Sequence, residues 1–305
     1  MTALAEPTHE AETPPRAASP PRRTRPARRW PARIPLHLTL AVICAIWLVP
    51  LLGLLVSSFR PPYAISTTGW WAAFLTPGDF TLDNYVTVLT RNHLGRAFVN
   101  SLLITVPAVS LMTTFGAVAA FVFARMRFTG RHFTFSVVLA LLVVPMQLAL
   151  APVLRLYNVT HLAGTFTGVW LVHCGFALPF AIYLLRGFMA GLPAELFEAA
   201  EMDGASPVQL FVRIALPLSR PALASFAIFQ FLWVWNDLLV ALIFLGGRPD
   251  VAPLTVAVSN LVNANTGQGW QLLTAAAFVS MACPLLIFLT LQRHFVRGLL
   301  AGAVK

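Results

Sequence analysis

Six apolar runs of about twenty residues each leave this chain few ways to fold. They span residues 34–59, 98–124, 133–156, 165–185, 222–245 and 272–291. A helix rises about 1.5 Å per residue, so each run reaches, or nearly reaches, across about 30 Å of hydrocarbon. In lipid every backbone N–H and C=O must find its partner within the spanning element, and for runs of this length that element is a helix. Charged residues make up only 10% of the 305, against about a quarter in soluble proteins. The expectation is an all-α polytopic protein of the membrane with six transmembrane helices and no soluble domain of ordinary composition.

The net charge of +10 does not point to nucleic acid, because basic residues in a membrane protein gather on cytoplasmic loops. With the N-terminus placed inside, seven Arg fall in residues 1–33. Three more follow the second run (Arg125, Arg127, Arg131), three lie in or beside the central stretch (Arg186, Arg213, Arg220), and Arg293, Arg297 and Lys305 close the chain. The outside receives Arg60, Arg91, Arg96, Arg155 and Arg248. That asymmetry predicts cytoplasmic N- and C-termini. The excess of Arg over a single Lys, with abundant Ala, suggests a GC-rich genome and a bacterial cell (plasma) membrane.

Residues 1–33 carry seven prolines and seven arginines and read as a disordered cytoplasmic tail. Cys44, Cys174 and Cys283 lie in apolar runs without a C-x-x-C pair, so they read as small buried hydrophobes rather than a disulfide or metal set. The outer segments Arg60–Ala97 and Gly246–Gln271 are long, and their aromatics suit interfacial anchoring or contact with an external partner. Prolines 107, 145, 152, 179 and 284 lie within or beside the runs and favour kinks.

One stretch breaks the apolar pattern. Leu192–Pro221 holds Glu195, Glu198, Glu201 and Asp203, four of the chain's 11 acidic residues. Pro193 suits a helix start, AELFEAAEMD is rich in helix formers, and Gly204 ends or bends that helix. Ser206, Pro207 and Gln209 form a second start of the capping-box type. The reading is helix, glycine hinge, helix, on the cytoplasmic side. Ala199, Ala200, Gly204 and Ala205 give the first helix a small-residue face that could sink into a partner's groove. Composition alone leaves open whether that face packs on its own bundle instead.

Asp237 is the one acidic residue inside a run. A charge at that depth faces an interior or water. With Trp235 and Asn236 it could line a solute path, or it could belong to a structural hydrogen-bond network. His173, Asn100 and Gln147 are weaker cases of the same kind. The chain has no G-x-x-x-x-G-K-[ST] motif, so ATP would have to act through another protein. No nucleophile constellation or metal-ligand spacing stands out, and neither catalysis nor a bound cofactor is expected.

The pattern Glu198-Ala199-Ala200, Asp203-Gly204-Ala205, Ile214, Leu216-Pro217 and Pro221 resembles the EAA loop of ABC importer permeases. Arg186-Gly187-Phe188, Trp235-Asn236-Asp237 and the end from Gln292-Arg293-His294-Phe295 through Gly302 to Val304-Lys305 look like the carbohydrate branch, the maltose-type second permease. The likeness covers residues 34–305. It implies a type I ABC importer permease fold, with a first transmembrane helix at 34–59, a permease core at 97–292 containing a coupling loop at 190–221, and a cytoplasmic tail at 293–305. It implies ATPase coupling through Glu198, Ala199, Ala200, Glu201, Asp203, Gly204, Ala205 and Pro217. The implied partners are a homologous second permease, an ABC ATPase dimer that binds the ATP, an extracytoplasmic solute-binding protein and the lipid bilayer. The implied activity is sugar or oligosaccharide import. Import of another solute such as glycerol phosphate has the same architecture. An ion-coupled secondary transporter would need acids in several spans and an inverted repeat, and neither is evident.

Overall fold

The computed structural model describes residues 34–75, 78, 80–264 and 269–303. The Arg- and Pro-rich tail, Asn265 of the last outer segment and the Val304-Lys305 end lie outside them. The described residues are almost wholly helical, with no strand among them. The chain divides into two compact units after Pro50. The first contains the front of α1 (Ile34–Ser58), whose apolar side chains are exposed, Trp47 at 75%.

In the second unit α4 (Leu94–Arg125) and α7 (Phe166–Ala190) form the most extensive helix pair. Lipid offers no hydrophobic incentive for helices to associate, so close approach through small residues matters more. Ala108, Gly116, Ala117 and Ala120 of α4 and Ala177 and Ala181 of α7 are buried along this pair. A Cβ built on Gly116 would stand 2.5 Å from Ala181 Cβ. Around this pair pack α11 (Arg220–Trp235) and α14 (Trp270–Ala303).

Among the described residues four helices are long and apolar enough to cross a membrane: α1, α4, α7 and Trp270–Thr290 of α14. Two bent pairs bring the number to as many as six, if each pair is one span. In the third run the kink that Pro145 favours is a sharp break. The run 133–156 is α5 (Arg131–Leu141) and α6 (Met146–Val159), meeting at 99°. Pro145 has no N–H for the helical ladder and drives the residue before it toward extended geometry. The fifth span also differs. Helix α11 ends at Trp235, residues 236–238 are irregular, and α12 (Leu239–Leu245) follows. The sixth helix continues past its apolar run, and the expected tail from residue 293 is helical to Ala303.

Two prolines inside helices are compensated from a neighbour. Pro107 cannot donate to Leu103 O, and the indole N–H of Trp170 donates there at 2.9 Å. Pro284 leaves Ser280 O, and the indole N–H of Trp235 donates there at 3.1 Å. Such outside donors are how proline is accommodated where water is absent.

The described residues of 60–97 and 246–271 are folded. Residues 60–97 contain α2 (Pro62–Thr67), a 3-10 turn at Trp70–Phe74 and α3 (Asp83–Thr90). Arg60 is buried there, with its guanidinium donating to Ala64 O and Gly69 O at 3.0 Å. The segment 246–271 contains α13 (Leu254–Ala264). It is tied to α4 by Asn100, whose amide donates to Asp250 O and Ala252 O, and by Ser101 Oγ, which accepts from Leu254 N.

Candidate functional site

The acidic stretch folds as a helical pair. Helix α8 (Ala194–Met202) starts after Pro193 and has Glu195 in its first turn, where the helix dipole favours a carboxylate. It stops in a Schellman arrangement: Ala205 N donates to Ala200 O at 2.9 Å and Gly204 N to Glu201 O at 3.0 Å. The motif needs a left-handed residue after the cap, and Gly204 supplies it at φ +82°. Helix α9 (Pro207–Leu210) then opens with the Ser206–Gln209 capping box in both directions. A π-helical turn at Phe211–Ala215 and the short α10 (Leu216–Leu218) complete the pair. In that turn Leu216 N bonds Phe211 O, five residues back, and the wider spacing accommodates Pro217, which has no N–H to offer. The path bends by 74° at Ser219 into α11.

Each helix of the pair has an inner and an outer face. Phe197, Leu210 and Ala215 are buried, and Ala200, Ala205, Phe211 and Ile214 pack against the core. Phe211 meets Phe121 of α4 with ring centroids 5.3 Å apart. Outward stand Glu198, Ala199, Glu201, Asp203, Gly204 and Met202, the last 89% exposed. Among the described residues none forms an ion pair with these acids. The small-residue face is therefore divided: Ala199 and Gly204 look out, while Ala200, Ala205 and Pro217 are half-buried. Phe197 faces inward, unlike its exposed neighbours Leu196 and Met202.

The intramembrane trio is separated by the helix break it creates. Trp235 is 1% exposed, stacked on Phe231 and edge-on to Phe98, so it packs the bundle. Asn236 is exposed and bonds back to Leu232 O. Asp237 caps α12, accepting from Val240 N at 3.3 Å and Ala241 N at 3.0 Å. His173 of α7 is buried, with Nε2 3.9 Å from Asp237 Oδ2 and its ring edge-on to Trp233. Asn100 is occupied with the carbonyls of Asp250 and Ala252, and Gln147 is exposed.

Arg125 was not singled out from sequence. It donates to Met189 O at 2.8 Å and Leu192 O at 2.6 Å, and its guanidinium lies 4.0 Å from the Phe197 ring centroid. Its sequence signals were its place at the end of an apolar run and among the basic residues that follow it.

The described residues thus form a multi-pass helical bundle with an acidic helical pair exposed on it. The chain belongs to the family described as "Binding-protein-dependent transport system inner membrane component", whose profile matches residues 112–300. It is 53% identical over 276 residues to the osmoprotective compounds uptake permease protein GgtD of Synechocystis sp., covering 90% of this chain and 92% of that one. It is also 53% identical over 235 residues to the alpha-glucoside transport system permease protein AglG of Rhizobium meliloti, 75% of this chain and 62% of the relative. A crystal structure of a bacterial ABC transporter involved in the import of the acidic polysaccharide alginate shares the fold. The TM-score is 0.72 at 20% identity, over 87% of this chain and 98% of that one.

Proposed function

We propose that this chain is the permease subunit through which an ABC importer carries a small sugar or oligosaccharide, driven by a separate ATPase docked on α8. The observation that carries the proposal is the outward face of α8. Glu198, Glu201 and Asp203 stand there with no ion-pair partner among the described residues, beside Ala199 and an almost fully exposed Met202. Exposed acids beside a small residue suit a groove lined by Lys or Arg.

In this reading both termini and the 190–221 loop are cytoplasmic, as the distribution of Arg suggests. Closure of the ATPase dimer on ATP would move the groove that holds α8. Gly204 sets the angle between α8 and α9, and α7 and α11, joined to the two ends of the pair, would turn with it. A homologous second permease completes the pathway, and an extracytoplasmic solute-binding protein delivers the solute. Asn236, the member of the trio with open surface, is the residue proposed to border the pathway, with Asp237 setting its position.

The substrate class rests on the relatives' names. The alpha-glucoside permease favours an α-glucoside, and the osmoprotectant permease supports a second reading, a small osmoprotective compound. Uptake of a radiolabelled α-glucoside, competed with osmolytes, separates the two. The coupling role is tested by Glu198→Lys, which should abolish uptake while the subunit stays in the membrane. Undiminished uptake by that variant would remove α8 from the mechanism.

A further inference from the structure

The covalent chain connects the helical pair to only two long helices, α7 and α11. Side chains of α4 add a third connection, with Phe121 against Phe211 of the π-turn and Arg125 against α8. Arg125 is the last residue of α4. Its Nη2 reaches the carbonyls of Met189, in the last turn of α7, and of Leu192, in the link to α8. A helix end leaves its last carbonyls without partners and gathers partial negative charge there, so a guanidinium fits. The same guanidinium covers the buried ring of Phe197 on α8. Three elements thus meet on one planar cation, and a lysine, a point charge on a flexible stem, could not reproduce both contacts. No carboxylate among the described residues pairs with Arg125, so its described partners are these two carbonyls and this ring.

We infer that Arg125 is a positioning residue that transmits movement of α8 to α4, so that the second membrane span responds to the ATPase along with the two spans joined through the backbone. The inference rests on the reading of α8 as the ATPase-facing helix. It gives α4, which has no covalent link to the loop, a direct part in the conformational cycle.

The test needs no knowledge of the solute. In the assembled importer, with Cys44, Cys174 and Cys283 replaced by Ser, a single cysteine is placed at exposed Val99 on α4 or at exposed Phe229 on α11. Each carries an environment-sensitive fluorophore, and the change on trapping with ATP and vanadate is read. Both positions should respond in the parent. With Arg125→Gln the response at Val99 should fall about fivefold or more, the lower end of typical coupling between sites, while that at Phe229 persists. Arg125→Lys should restore part of it. Phe197→Leu, which keeps an apolar side chain in place but removes the ring face, should act like Arg125→Gln and settles the matter if that variant does not assemble. An unchanged response at Val99 in the variants, or none there in the parent while Phe229 responds, overturns the inference and leaves the reading of α8 intact. Normal responses at both positions in Glu198→Lys would remove that reading instead.

Discussion

The indole N–H of Trp235 is committed to Ser280 O, the carbonyl that Pro284 leaves without a helical donor. A tryptophan on α11 thereby completes the hydrogen bonding of α14. The pair explains why Trp235 is 1% exposed in a segment whose next residue is open.

Trp235→Phe should cost about 1–3 kcal/mol, the usual penalty for a buried carbonyl left unpaired. In a Pro284→Ala background the helix supplies that carbonyl's donor, so the same change should cost about 1 kcal/mol less, a coupling well within the range for contacting residues. Denaturant unfolding in detergent of the four members of the cycle measures the difference. Equal costs in both backgrounds would mean the indole is held by packing alone.

Gly116 and Gly204 are both required, for different reasons. A Cβ on Gly116 would meet Ala181 Cβ at 2.5 Å, between two packed helices. Gly116→Ala should destabilise by about 1–3 kcal/mol, as overpacking does, and Gly116→Leu should prevent the α4–α7 pair from closing. Thermal stability of the detergent-purified subunit reports both.

At Gly204 a Cβ would meet nothing within 4 Å, and only φ +82° opposes a side chain. Gly204→Ala should therefore cost about 1–2 kcal/mol, the left-handed penalty for an L-residue, and Gly204→Asn should cost less. Unfolding midpoints of the two variants rank them, and an alanine cost equal to that at Gly116 would contradict the open surroundings.

These contrasts mark how far the sequence alone could be read. Helical spans follow from run length, because a membrane admits little else, and the two helix starts in 192–221 follow from local chemistry at Pro193 and Ser206. The stop at Gly204 is local as well. What sequence could not supply was pairing across the fold. Nothing near Trp235 signals that its N–H serves a carbonyl freed by a proline 49 positions later. Nothing near Arg125 signals Phe197. Pro145 signalled a kink, but its 99° angle and the break at Asn236 were hidden, because hydropathy reports depth and not direction. Asn and Asp in succession were a helix stop and restart, and the Asp that looked like a path-lining charge caps α12.

On the exposed segment before α13, Arg248 and Asp250 form a bidentate pair with contacts of 3.2 and 2.6 Å. The guanidinium holds the Asp250 carboxyl below its usual range, chiefly through that hydrogen bond. A depressed carboxylate contributes above its unfolded pKa, and its contribution is lost as pH falls through the folded value. Both side chains are well exposed, so screening reduces the effect. Arg248→Ala should leave the thermal midpoint at neutral pH unchanged within error, with any difference from the parent disappearing in strong acid. A clear loss at neutral pH would show that the pair anchors the segment leading to α13.

Asp237 allows a last separation, between holding the helix break and meeting the solute. Its two oxygens accept from Val240 N and Ala241 N, which is the work of an N-cap, and Asp237→Ala should cost about 0.5–2 kcal/mol of stability. Asp237→Asn keeps one carbonyl acceptor in the same place and should cost less. Should the carboxylate act only as a cap, uptake will follow stability across the two variants, and Asn will transport nearly as well as the parent. A carboxylate that also meets the solute gives a different pattern, with Asn close to the parent in stability yet deficient in uptake. Unfolding and uptake measured on the same preparations decide between them. The geometry favours the first outcome, because both oxygens already accept backbone N–H groups and His173 stands 3.9 Å from one of them.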